Sequence, residues 1–202
     1  MSPAATKGDE RRAALLEALD HHLRDAGPDA SLDAINVADL SRRAGVTRSA
    51  FYFYFDNKAA AVAALMEEMY DGAWDAADLD GDDEPMQQRL TTAIRAIFQG
   101  WSRRTHLYRA MLEARATSPA VREQWDSFQE SFVVVLAAVI EGERTLGAAP
   151  EGADPTAIAT ALLDLNDRTL ERLVHAPADF DWDRHVEAVV HVWQASIYGR
   201  TA

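Results

Sequence analysis

The residues best equipped for chemistry lie in one short stretch, and they are binding groups rather than reacting ones. From Asn36 to Lys58 the chain reads NVADLSRRAGVTRSAFYFYFDNK. Arg48 carries a planar fork of donors that matches the acceptor pair of a guanine edge, and Thr47 and Ser49 add hydroxyls of base-edge reach. Tyr52 and Tyr54 offer hydroxyls and Lys58 an ammonium, all suited to phosphate oxygens, with Arg42 and Arg43 placed to assist. Lys58 opens an expected helix, where the macrodipole disfavours a cation by roughly 0.3–1 kcal/mol. A residue set against a local preference points to function, and a helix N-terminus with an ammonium beside it makes a phosphate clamp. Alone, Lys58 reads as a solvated surface lysine; in this company it reads as a backbone contact.

Catalytic chemistry finds no footing. There is no Cys, so no thiol nucleophile, disulfide or thiolate metal site is available. No G-x-S-x-G and no helical H-E-x-x-H occurs. His185 and His191 are six apart and share no helical face, and His21 and His22 are adjacent and diverge. Asp167–Arg168 is an adjacent pair of the kind that makes structural contacts. The acidic loop 78–85 lacks the carboxylate spacing of a calcium loop. The expectation is a protein that is not an enzyme and uses neither metal nor cofactor.

The elements that must position the binding stretch can be read around it. Asn36 caps a short helix from Val37 to Ala44, with Leu40 and Ala44 on one face. Gly45 supplies the left-handed residue that closes it, and Val46 plugs the corner. Thr47 caps a second helix, about Arg48 to Phe53, with Phe51 and Phe55 turned to a small core. Asp56 and Asn57 offer caps for a helix opening at Lys58. Two short helices around an Ala-Gly-Val corner form a helix-turn-helix, whose second helix can enter the major groove. Ahead of it, Leu15, Leu19 and Leu23 predict a first helix from about Glu10 to Ala26, ended by Gly27-Pro28.

Composition bounds the whole. The chain has 202 residues, 48% apolar, with net charge −13. Residues 1–60 carry 8 basic and 9 acidic groups, and residues 61–202 carry 12 and 24. Acid is thus concentrated away from the expected DNA face, where Val37 to Lys58 sums to +2. An acidic body discourages loose binding to nucleic acid. No run reaches the roughly 18 apolar residues of a membrane span, and MSPAATKGDERR lacks a signal peptide's apolar region. A cytoplasmic protein without membrane association is expected.

The division expected is a disordered tail at 1–9, a DNA-binding domain at 10–57 and a ligand-binding and dimerisation domain at 58–202. The latter holds six helices: Lys58 to Ala77, about Pro85 to Trp101, His106 to Ala116, a long one from Ser118-Pro119 to about Leu146, Pro155 to His175, and Trp182 to Tyr198. No strand pattern appears, so the fold class is all-α with about nine helices. The last two helices, 155–175 and 182–198, are apolar on more than one side. Pairing them with a second copy would supply the missing cover and the two-fold symmetry a helix-turn-helix needs on a palindromic duplex. Asn166 sits on the stripe Leu162, Leu163, Leu170, Leu173, where an amide needs a partner. It reads either as a structural hydrogen bond or as the polar handle of an apolar ligand cavity.

AGVTRSAFYFYFDNK resembles the DNA-binding segment of the TetR family of transcriptional regulators. Asp56-Asn57 stand where that family usually has Pro-Ser. EARATS (113–118), AAVIEGERTLGAAP (137–150), ATALLDLNDRTL (159–170) and VHVWQASIYG (190–199) are similar to the ligand-binding domain of its ethionamide-resistance repressor branch. The resemblance implies a TetR-like homodimer that represses transcription until a small apolar effector releases it from a palindromic operator. It further implies a channel lined by Leu90, Ile97, Trp101, Phe132, Asn166 and Trp193, to which Gln129 can add an amide. The alternative is a helical carrier or sensor of apolar ligands that binds no DNA, which leaves the helix-turn-helix without a role.

Overall fold

The computed structural model describes residues 6–27, 31–77, 84–177 and 179–199, with side chains left undescribed from 69 to 77. Among the described residues the chain forms nine α-helices and no strand: α1 Lys7–Ala26, α2 Val37–Arg43, α3 Arg48–Tyr54, α4 Lys58–Ala77, α5 Met86–Arg103, α6 Thr105–Thr117, α7 Pro119–Thr145, α8 Pro155–Leu173 and α9 Trp182–Tyr198. None of these helices is long and apolar enough to cross a membrane.

The ends of the helices follow local chemistry. Helix α1 begins at Lys7 rather than near Glu10. The N–H of Asp9 donates to Thr6 Oγ1 at 3.3 Å, and the N–H of Thr6 donates to Asp9 Oδ2 at 2.8 Å. This reciprocal cap satisfies two otherwise orphaned donors, so residues 7–9 are helical and not a disordered tail. Residues 1–5 of that expected tail lie outside the described residues, as do Pro28 and residues 78–83 of the acidic loop. Asn36 Oδ1 accepts from the N–H groups of Ala38 and Asp39 at the start of α2. The Asp39 carboxylate pairs with Arg42 at 2.6 Å. Gly45, at φ 66°, makes the left-handed turn out of α2. Thr47 Oγ1 caps α3 through the Ala50 N–H, and Asn57 Oδ1 caps α4 through the Ala60 N–H.

The chain divides into two compact units. One holds residues 1–70 with 104–123; the other holds 71–103 with 124–202. In the first, α1 packs on α2 and on α6, and α2 packs on α3. The leucine face of α1 (Leu15, Leu16, Leu19, Leu23) is buried, as are Leu40, Phe51 and Phe55 of the helix-turn-helix. Each such side chain contributes about 1.5–3 kcal/mol when fully buried, so this small core is a main source of the unit's stability. Helix α6 and the first turn of α7 belong to this unit, so the helix-turn-helix packs with more than its own three helices.

In the second unit, α5 packs on α8 and α9, and α8 packs on α9. Their buried faces run at helical spacing: Leu90, Ile94, Phe98 and Trp101 on α5, Leu162, Asn166, Leu170 and Leu173 on α8, Val186, Val190, Trp193 and Ile197 on α9. Arg95 of α5 clasps Glu187 of α9 with two bonds of 2.8 and 2.9 Å. That pair is exposed, so packing rather than charge holds the two helices together.

Inside the first unit a polar pair bridges α1 and α6. His106 Nε2 lies 3.0 Å from Asp20 Oδ1, both residues are buried, and Arg24 reaches the second carboxylate oxygen. The hydrogen bond from His106, with the nearby Arg24 charge, outweighs burial and holds the Asp20 carboxyl below its ordinary range. A depressed carboxyl stabilises the fold at pH values above its unfolded value of about 3.9, and that contribution is lost as pH falls through the folded-state value. Asp20→Asn removes the charge and keeps the shape. At pH 7 it is expected to lower the unfolding free energy by about 1 kcal/mol, the difference between charged and neutral hydrogen bonds. In denaturant titrations the gap between the two proteins should close in acid, as Asp20 itself becomes protonated.

Candidate functional site

The exposed face of α3 is built from the back. Phe51 and Phe55 are one turn apart and only 1% and 4% exposed, so they fix the rotation of the helix against α2. With that side anchored, Thr47, Arg48, Ser49, Tyr52 and Phe53 face solvent. Thr47 and Ser49 hydroxyls lie 2.9 Å apart, and the Arg48 guanidinium sits over the Tyr52 ring at 5.8 Å. Stacking costs the guanidinium none of its edge donors.

A recess of about 440 Å³ brings Arg48, Tyr52 and Lys58 together with the backbone at the start of α2, from Asp33 to Ala38. Tyr54 is half-buried, so it contributes an edge rather than a whole ring. Arg42 and Arg43 are exposed but engaged in part, Arg42 with Asp39 and Arg43 with Asp25 at 3.6 Å. Lys58 is more constrained than a surface lysine. Its Nζ donates to the carbonyl oxygens of Leu32 at 3.1 Å and Asp33 at 3.3 Å. The same segment is held from α6, where Glu113 Oε2 accepts the Leu32 N–H at 2.8 Å.

In the second unit, the residues expected to line a channel differ in burial. Leu90, Trp101, Asn166 and Trp193 are buried; Ile97, Gln129 and Phe132 are half-buried. One contact joins two of them directly: Trp193 Nε1 donates to Asn166 Oδ1 at 3.0 Å, with both groups buried. The amide on the leucine stripe is therefore satisfied across the α8–α9 packing, as a buried polar group must be.

Sequence reasoning missed several of these groups. Glu113 lies 81 residues from Leu32 and the Asp20–His106 pair spans 86, so no local pattern joins them. Phe53, 82% exposed, enters the sequence reading only as the end of a helix, although the rotation set by Phe51 and Phe55 already turns it outward.

Comparison with known proteins gives a consistent picture. Residues 29–65 match the profile of "Bacterial regulatory proteins, tetR family", and residues 90–199 match "Transcriptional regulator EthR, C-terminal domain". The chain is similar to the HTH-type transcriptional regulator EthR of Mycobacterium tuberculosis, 34% identical over 200 residues, covering 97% of this chain and 91% of that protein. Among solved structures, a TetR-family regulator from Rhodococcus sp. aligns with TM-score 0.74 at 16% identity, over 93% of this chain and 98% of its own. Thermus thermophilus FadR, a TetR family transcriptional repressor in complex with lauroyl-CoA, aligns with TM-score 0.71 at 17% identity, over 95% and 97%. Both share the fold.

The Asn166–Trp193 bond makes a direct prediction about the α8–α9 packing. Asn166→Leu leaves the indole N–H buried without an acceptor and should cost about 1–3 kcal/mol in urea unfolding. Adding Trp193→Phe removes the orphaned donor. The double variant should therefore be less destabilised than the sum of the two single changes, a coupling that a double-mutant cycle measures.

Proposed function

The chain belongs to the TetR family of bacterial transcriptional regulators, in the branch that carries the EthR C-terminal domain, and from that membership we propose how its residues do the work. It is a DNA-binding regulator; we assign DNA reading to residues 10–57 and effector binding and dimerisation to 58–202. Helix α3 lies in the major groove. Arg48 and Ser49, with Thr47 at the helix start, meet base edges; Tyr52, Tyr54 and Lys58 hold the sugar-phosphate backbone, with Arg42 and Arg43 beside them. The observation that carries this reading is the exposed Arg48–Tyr52 face of a helix whose other face is locked by Phe51 and Phe55.

Two heads are needed to read a palindrome, and pairing through α8 and α9 supplies them. Helix α9 buries Val186, Val189, Val190, Trp193 and Ile197 within its own chain and leaves Ala188, Val192 and Ala195 on an outer face of small apolar residues. Val192 is 42% exposed, and a second copy laid along that face would cover it. The protein acts in the cytoplasm as a repressor. Its effector is small and apolar, held among Leu90, Ile97, Trp101, Phe132 and Trp193, with Asn166 or Gln129 as polar handle. Occupancy favours a head spacing that no longer fits the operator, and it can do so only through a difference in affinity between the two states.

Footprinting of the full chain on a duplex selected from randomised DNA tests the reading. The wild type should protect a palindrome, and extracted cellular lipophiles should lift the protection; absence of any defined protected site would sink the proposal. Arg48→Ala should cost about 1–3 kcal/mol on the selected site and much less on random duplex, as loss of a bidentate base contact does. Lys58→Ala should weaken binding to both duplexes and flatten the salt dependence on each by about one phosphate contact. For the pairing helices, Val192→Glu should yield a monomer in sedimentation that no longer protects the two half-sites together, while unchanged dimer mass would move the interface elsewhere.

A further inference from the structure

We infer that Phe53 is a specificity residue of the DNA-reading helix and that it takes the C5-methyl group of a thymine in the major groove. The inference rests on the reading of α3 as the major-groove helix and adds to it a base preference at one step of each half-site.

Phe53 is the most exposed large apolar side chain described in this protein, at 82%. Single exposed apolar residues are common and need no role on that ground alone. Its position is what sets it apart. Successive residues of a helix turn by about 100°, so Phe53 points about 160° away from Phe51, which is 1% exposed in the core. It therefore projects away from the core, on the exposed side of α3 that also carries Ser49. Ser49, one turn earlier and also exposed, lies within about 40° of that direction, while Tyr52 is about 100° and Arg48 about 140° further round the helix. The Tyr54 ring stands edge-on to Phe53, with centroids 5.1 Å apart and planes at 88°, which braces the outward ring.

Chemistry then narrows the partner. Arg48, Ser49 and Tyr52 each carry a group that can serve a base edge or a phosphate. Phe53 carries none, so neither a phosphate oxygen nor a donor–acceptor pattern gives it a bond. The major groove presents one apolar feature, the thymine methyl, and Phe is among the side chains suited to it. Covering the ring also removes from water an apolar surface that the free protein leaves wet.

The test uses the full-length chain and the duplex it selects from randomised DNA. Each thymine of the selected half-site is replaced in turn, symmetrically in both halves, by deoxyuridine, which deletes the methyl and nothing else. At one thymine the wild type should lose about fourfold in affinity per half-site, the fold-change that corresponds to ~0.8 kcal/mol for one buried methyl. Phe53→Ala should bind the thymine and uracil duplexes equally, Phe53→Leu should keep the preference, and Arg48→Ala should keep it while losing affinity overall. Indifference of the wild type to every thymine-to-uracil change would overturn the inference and leave the reading of α3 intact. So would a Phe53→Ala protein that retains full sensitivity. Selection of no duplex at all would overturn both.

Discussion

The backbone at Leu32 is gripped by two opposite charges. Glu113 of α6 accepts its N–H and Lys58 of α4 donates to its carbonyl, at 2.8 and 3.1 Å. Hydrogen bonds to charged partners contribute about 1.5–3 kcal/mol each, roughly twice a neutral bond. The Leu32 side chain is itself buried, so the segment before α2 is fixed by packing as well as by its backbone. Four residues later Asn36 caps α2, and α2 sets α3 through the Gly45 corner. The direction in which Arg48, Ser49 and Phe53 project thus depends on where α4 and α6 hold one residue. Helix α6 has a second hold on the head through His106 and Asp20. These two polar contacts tie α6 to the head within the first unit.

Charge fits the same logic. A chain of net charge −13 is an unpromising polyanion ligand, but its acid lies mainly beyond residue 60. Two of the four basic residues near the corner, Arg42 and Arg43, are drawn toward Asp39 and Asp25. Few cations remain to neutralise phosphates, so the physical expectation is weak non-specific affinity. Occupancy of a site must then come from the base edges and from bringing two heads to one duplex.

Much of this was legible from sequence because the information is local. The corner at Gly45, the caps at Asn36, Thr47 and Asn57, and the four-residue spacing of Phe51 and Phe55 each involve neighbours within one turn, and all of them stand in the structure. The start of α1 was misjudged because Thr6 and Asp9 form a cap in a stretch whose composition resembles a tail. The contacts of Glu113, His106 and Asn166 were out of reach for a different reason. Each joins helices far apart in the chain, and a carboxylate, an imidazole or an amide on a helix face does not announce its partner. Asn166 illustrates the point: its position among leucines required an acceptor or donor, yet nothing in the stripe selected Trp193.

Lys58 shows how a residue can satisfy two accounts at once. Its place at the start of α4 runs against the macrodipole, which argued for a phosphate contact; in the structure the ammonium is spent on the Leu32 and Asp33 carbonyls. An ammonium has three donors, and two carbonyls use two of them. The carbonyl oxygens also bear partial negative charge, which offsets the unfavourable helix end and holds the side chain at the rim of the recess shared with Arg48 and Tyr52. A lysine tethered in this way would lose little further freedom if a phosphate took the third donor, because its rotamer is already chosen. On the proposed reading of Lys58, the tether that orders the free protein would also lower the entropic cost of gripping the duplex.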